Sequence, residues 1–155
     1  MNKLEKFLDN CKKIVLVGIG NPLSAIDSIG LDICDYIKKV FPNLEVEMAL
    51  NTPENVLSKF LDSNHTHILV VDAIDAGLPV GTIVFLEPSE VAVETETTHT
   101  VPIGLMLKAL ESEGKRTLIL GVQISESRMF NKNEIQKIFD SIVGVINSVL
   151  KKCKG

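Results

Sequence analysis

The chain has no excess of basic charge, no long apolar run and no closely spaced cysteines, and each absence removes a class of function. Its 155 residues carry 16 lysines and arginines against 20 acids, a net charge of −4. Nucleic-acid binding rests on a surplus of cations facing phosphates, so no nucleic-acid partner is expected. The lysines that do cluster, Lys151, Lys152 and Lys154, sit at the C-terminal end, where they complement a helix dipole. No apolar stretch approaches the roughly 18 residues that a membrane span needs. The start, MNKLEKFLDNCKK, is charged throughout and lacks the apolar middle of a signal peptide. A cytoplasmic protein with no membrane partner is the expectation. Cys11, Cys34 and Cys153 are odd in number, far apart and without a Cys-x-x-Cys pair. That spacing predicts neither a disulfide framework nor a cysteine metal site.

Two enzyme signatures are also missing. No Gly-Lys-Ser/Thr closes a phosphate loop, and no Gly-x-Ser-x-Gly elbow presents a serine. What remains is an ordinary globular balance, 45% hydrophobic and 23% charged, in a chain long enough for one well-filled core. A single domain over 1–155 is expected, with 1–12 as an N-terminal helical extension to a main unit over 13–155.

Periodicity assigns the elements. Leu4, Phe7, Leu8 and Cys11 predict a short helix over 3–11. The β-branched run Lys13–Gly20 predicts a strand buried on both faces. Ile29, Ile33, Ile37 and Val40 mark a helix that stops before Pro42. Residues 44–50 alternate as a strand with one wetter face, and Thr52-Pro53-Glu54 starts a helix to about Leu61. His67–Asp72 predicts a second fully buried strand ending at Asp72, and 82–86 a further strand after a glycine-rich turn. Residues 88–100 read as a loop. A helix over 101–110, a strand over 116–122 and a long helix over 133–152 complete the chain. In the last, Ile135, Ile138, Phe139, Ile142, Ile146 and Val149 face the core. Strands alternating with helices predict an α/β fold: a three-layer α/β/α sandwich on a mostly parallel, five-stranded sheet, with 82–86 antiparallel.

The glycines of GIGNPLSAIDSIG, residues 18–30, first suggest a dinucleotide loop. Leu23 stands where the third glycine belongs, the link to the helix is too long, and no acid follows the next strand. The acids offer a different reading. In sheets of this kind ligands collect at the carboxyl ends of the strands. The first strand delivers Asn21–Asp27 to that edge and the buried strand delivers Asp72. His99, just ahead of a helix, can swing over it. Two carboxylates and an imidazole suit a borderline divalent ion with open coordination positions. Taken singly, Asp27 also fits a helix cap, Asp72 a turn former and His99 a solvated loop residue. Asp75, three residues beyond Asp72, fits a supporting group or a turn. His65 and His67 sit at the far end of the strand, roughly 16 Å from Asp72, and fit a surface loop. Cys34 lies mid-helix beside the apolar stripe, which predicts an inert, packed thiol and no cysteine nucleophile.

Four blocks in order carry a resemblance: Gly18-Ile-Gly-Asn-Pro-Leu with Asp27-Ser-Ile-Gly30; Val70-Val-Asp-Ala-Ile-Asp75 with Gly77-Leu-Pro-Val-Gly81-Thr82; Thr98-His-Thr-Val-Pro102; and Gly121-Val-Gln123. Together, over residues 14–123, they resemble the hydrogenase maturation endopeptidases. The resemblance implies a three-layer α/β sandwich that removes a C-terminal peptide from the large-subunit precursor of a NiFe hydrogenase once nickel is inserted. It implies Asp27, Asp72 and His99 as the catalytic and metal-recognising residues and an aspartic-type classification. Nickel is then supplied by the precursor, with no organic cofactor, and the expected state is a monomer. Asn21, Asp75 and Gln123 are expected to help position the peptide. The chain departs from many relatives at Ile26, where they carry a second acid, and at Ile124, where they carry proline. The rival reading is a non-catalytic docking module or chaperone that reads the same nickel centre and cuts nothing.

Overall fold

A computed structural model describes residues 2–24, 26–50, 52–94 and 103–153. The elements run α1 (Lys3–Phe7), β1 (Ile14–Ile19), α2 (Ile29–Val40), β2 (Val46–Leu50) and α3 (Pro53–Leu57, continued by a 3-10 turn, Ser58–Phe60). There follow β3 (His67–Ile74), β4 (Ile83–Leu86), α4 (Pro88–Glu94), α5 (Ile103–Ser112), β5 (Arg116–Gln123) and α6 (Lys132–Lys152). The sheet has five strands in the order β2-β1-β3-β5-β4, all parallel except β4, which runs antiparallel to β5. The α/β architecture and the single antiparallel strand are as the sequence predicts.

The central strands are buried along their whole length because helices cover both faces. Alternate residues feed two cores. Leu69, Val71, Leu118 and Leu120 pack with α1, α2 and α6, whereas Ile68, Val70, Ile74 and Ile119 pack with α3, α4 and α5. In α6, Ile138, Ile142, Ile146 and Val149 form the buried stripe, and Phe139 stacks on Tyr36 at 4.4 Å. An Asn131–Glu134 capping box starts that helix, and the Arg128 guanidinium grips Glu134 with two bonds of 2.8 Å.

Four expectations need correction. Residues 88–94 are a helix, because Pro88 suits a first helical turn and Val91 is buried against the α5 core. Strand β3 runs two residues past Asp72, since β5 continues to pair with it as far as Ile74↔Gln123. His65 and His67 are buried. The His65 ring bridges Ser63 at 3.0 Å and Glu45 at 2.8 Å, and the His67 ring meets the Asp9 carbonyl at 3.1 Å and the edge of Phe7. Finally, Cys11 and Cys153 are joined by a disulfide, with Cα atoms 4.8 Å apart across a separation of 142 residues. The fold brings the end of α6 back beside the segment after α1, an approach that sequence spacing conceals. Both sulfurs lie within the core that includes Leu4, Phe7 and Leu8, so the N-terminal segment is packed in rather than appended.

Candidate active site at the carboxyl edge of the sheet

The turn after β1 is fixed by the chain itself. The Asn21 amide donates to the Asp27 carbonyl at 3.2 Å, closing residues 21–27 into a loop. Inside it, Asn21 Oδ1 accepts from the Leu23 amide at 3.0 Å, and Ser24 Oγ accepts from the Asp27 amide at 3.1 Å. Ser28 occupies the cap position of α2 without a side-chain bond to the helix start, and Asp27 immediately precedes it. The glycines have a steric role. A Cβ on Gly20 would lie 2.7 Å from the Asp27 carbonyl oxygen, and one on Gly30 would lie 2.6 Å from that of Val71. Side chains at either position would push the start of α2 away from β1 and β3. Their absence seats the half-buried Asp27 at the sheet edge.

Asp72 reaches that edge from the neighbouring strand. Pairing between β1 and β3 ends at Gly18↔Val71, so Asp72 is the first β3 residue past that pairing, level with Ile19, the last residue of β1. It is 2% exposed and shares a strand face with Val70 and Ile74, toward the α5 layer. Its partner on β5 is Gly121, where a Cβ would meet the Ile74 side chain at 2.8 Å.

Gln123 ends β5 and is 3% exposed. Its Oε1 accepts from the amides of Ala76 at 2.8 Å and Leu78 at 3.3 Å. Its Nε2 donates to Asp75 Oδ1 at 3.1 Å and to the Ile124 carbonyl at 2.8 Å. All four bonding positions of the amide are therefore used in fastening the turn after β3. Hydrogen bonds from Glu126, Gln123 and the Gly77 amide hold the Asp75 carboxyl below the usual carboxylate range. Glu126 carries no motif that would have singled it out in the sequence. Glu54 is a second acid that sequence reasoning took only as part of a helix start. It stands in the first turn of α3, just past β2, and its Oε2 is buried without a hydrogen-bond partner among the described residues.

His99 lies outside the described residues, which resume at Ile103. Among the described residues no group of three His, Cys, Asp or Glu side chains is placed to hold a metal ion. Cys34 is fully buried and burial pushes its thiol up to about 12, so it is no nucleophile at neutral pH. Among the described residues no helix is long and apolar enough to cross a membrane.

Comparison with known proteins places the chain among relatives of the same fold. A putative hydrogenase maturation protease of Methanocaldococcus jannaschii is 30% identical over 151 residues, covering 91% of this chain and 98% of its own. The hydrogenase 3 maturation protease of Escherichia coli is 29% identical over 113 residues, covering 70% of this chain and 71% of its own. The crystal structure of the NiFe hydrogenase maturation protease HycI from Thermococcus kodakarensis superposes with a TM-score of 0.78, covering 97% of this chain and 99% of that one, at 22% identity. The sequence model for HycI, hydrogenase maturation protease, matches residues 51–151. The chain therefore belongs to the HycI hydrogenase maturation protease family.

Proposed function

We propose that the protein is an endopeptidase that removes the C-terminal peptide of a NiFe-hydrogenase large-subunit precursor, and that nickel already held by the precursor is its recognition element. The observation that carries this reading is the position of Asp72. It is a nearly water-free carboxylate at the first β3 position past the pairing with β1, at the edge to which the Asn21–Asp27 loop delivers a second acid. Asp27, Asp72 and His99 engage the open coordination positions of the precursor's nickel. In a poorly solvated site such contacts are stronger than in water, so the metal becomes an anchor that fixes the scissile amide against the edge. Water then adds to the amide carbonyl, the C–N bond breaks and the departing amine takes a proton. Carboxylates and an imidazole are adequate ligands for nickel without selecting it over its neighbours, so selectivity falls to the precursor's own ligands.

The supporting residues divide the work. Gln123 holds Asp75 and the turn behind Asp72, and so positions rather than reacts. Asn21 keeps its Nδ2 donor unused among the described residues and is suited to a carbonyl of the bound peptide. Leu23, 95% exposed, and Met129, 58% exposed, lie on the loops that leave β1 and β5 at this edge, where apolar side chains suit an extended polypeptide.

The test is to mix the protein with nickel-loaded and nickel-free precursor and follow the large subunit's mass. Shortening of the loaded precursor alone is the expected result. Binding without shortening would favour a docking module, and indifference to both would remove the precursor as substrate.

A further inference from the structure

The end of β2 departs from regular strand geometry in two ways. β1 and β2 run in register through Gly18↔Met48, and the next pair is Ile19↔Leu50, so Ala49 is an extra residue on β2. Leu50 itself has φ +47°, the left-handed region in which the Cβ of an L-residue crowds its own backbone. Among the described residues only Asn10 shares a positive φ without being glycine, and asparagine tolerates that conformation.

The extra residue changes where the leucine goes. Val46 and Met48 pack against the core that contains α2 and α6, and Ala49 is buried in the core that contains α3 and α5. Strict alternation would return Leu50 to the α2 side. Instead it is 45% exposed and belongs to neither core. Its backbone is nevertheless held at both sides. The Leu50 carbonyl accepts from the Gly20 amide, and the Ala49 carbonyl accepts from the Thr52 amide, each at 3.2 Å.

On stability grounds leucine is a poor choice here. Glycine would remove the crowding, asparagine would tolerate it, and neither would leave an isobutyl group half in water. Backbone strain of this kind persists where a side chain serves something other than folding. The surroundings point to what that is. Gly20, bonded to Leu50, opens the loop that carries Leu23 and Asp27, and a Cβ on Gly20 would lie 2.7 Å from the Asp27 carbonyl oxygen. Leu50 therefore borders the acid-bearing loop from the β2 side, and the loop itself presents a second exposed apolar side chain in Leu23.

We propose, on the proteolytic reading above, that Leu50 is a specificity-determining residue. Its outward side chain packs against an apolar side chain of the precursor's C-terminal peptide as that peptide lies beside the Asp27 loop. The left-handed backbone fixes the leucine in place before the peptide arrives, so binding orders one side chain fewer. A peptide that is polar or charged at this point gains nothing from the contact and leaves the leucine in water.

Steady-state processing of the nickel-loaded precursor by the parent, Leu50→Gly, Leu50→Asn and Leu50→Met tests the assignment. Leu50→Gly and Leu50→Asn should raise KM about fivefold, as expected for losing roughly half of a leucine side chain's burial, with kcat changed by less than about twofold. Their melting temperatures should be no lower than the parent's, because the crowding at φ +47° is relieved. Leu50→Met keeps an apolar side chain of similar volume and should return KM to near the parent value. A purely structural leucine would move the melting temperature and leave KM alone. If the parent cuts the precursor and Leu50→Gly does so with the parent KM, the role of Leu50 is overturned and the proteolytic reading stands. If the parent leaves the loaded precursor uncut, both fall. A rise in KM shared equally by Leu50→Met would overturn the apolar contact. A smaller sedimenting species in Leu50→Gly than in the parent would do the same, by assigning the leucine to an interface between two copies of the chain.

Discussion

At the carboxyl edge of the sheet the buried polar side chains are Asp72 and Gln123; at the amino edge they are His65, His67 and Thr117. The first edge is assembled from turns. Glycines without side chains let α2 press on β1 and β3, and one glutamine amide fastens the turn after β3. The second edge is assembled from cross-links. Histidine rings sit between elements, the Lys115 ammonium bonds two carbonyls, Ser63 at 2.5 Å and His65 at 2.9 Å, and a disulfide closes the chain end to end. The difference teaches that one end of the molecule holds acids ready while the other holds the fold shut. Substitutions at the two ends should therefore separate activity from stability.

The largest effect is expected at Asp72. Asp72→Asn keeps the shape and removes the charge, and should lower precursor processing by about 10³-fold, on the order of 4 kcal/mol of barrier. Its melting temperature should stay near that of the parent, because an amide fills the same space. Processing at the parent rate would remove Asp72 from the site.

The mirror experiment is Cys153→Ala. Losing a cross-link that closes 142 residues removes about 5 kcal/mol of stability in the chain-entropy account. Urea denaturation should register that loss, and the rate of processing well below the melting temperature should not change. A large fall in turnover without a fall in stability would show that the two edges communicate.

How much of this was legible in the sequence differs between the edges for the same reason. Local patterns encode what neighbouring residues do, so the five strands, the antiparallel β4 and the Asp27 and Asp72 positions could be read from runs, breaks and order. Asp27 and Asp72, the described members of the proposed site, follow or sit near strand ends, which topology rules bring to one sheet edge without any side-chain detail. The amino edge is held by pairs remote in sequence: Cys11 with Cys153, His67 with Phe7 and Asp9, Lys3 with Glu90. No periodicity connects such pairs, which is why the histidines read as a surface loop and the cysteines as unpaired. Helix α4 is hidden in the sequence because acids and threonines follow Val91, which anchors it in the α5 core.

Gly30→Ala tests how the carboxyl edge was built. The added methyl group would meet backbone carbonyl oxygens of β1 and β3, which cannot yield as a side chain can. Overpacking of this kind costs about 3 kcal/mol, and displacement of α2 should carry Asp27 with it and lower processing as well. If Gly30→Ala were neutral in both measurements, the glycines would need another explanation.

Acid titration gives the smallest effect and separates the edges by pH. Burial lowers His67 from its ordinary value of 6.5, so the unfolded chain takes up a proton there before the folded one does. Stability should therefore fall as pH drops below about 6.5, and this decline belongs to the amino edge. Asp75 is held below its ordinary value of 3.8 by hydrogen bonds to its charged form. Its contribution is complete above that value and is lost only as pH falls further, through the lowered one. Urea midpoints between pH 8 and pH 3 should accordingly decline in two stages. Replacing Asp75 with asparagine should leave the upper stage untouched and diminish the lower, whereas His67→Gln should flatten the upper stage alone. If Asp75→Asn altered the decline near pH 6, the two edges would share a titrating network, and their division into a reactive end and a locked end would fail.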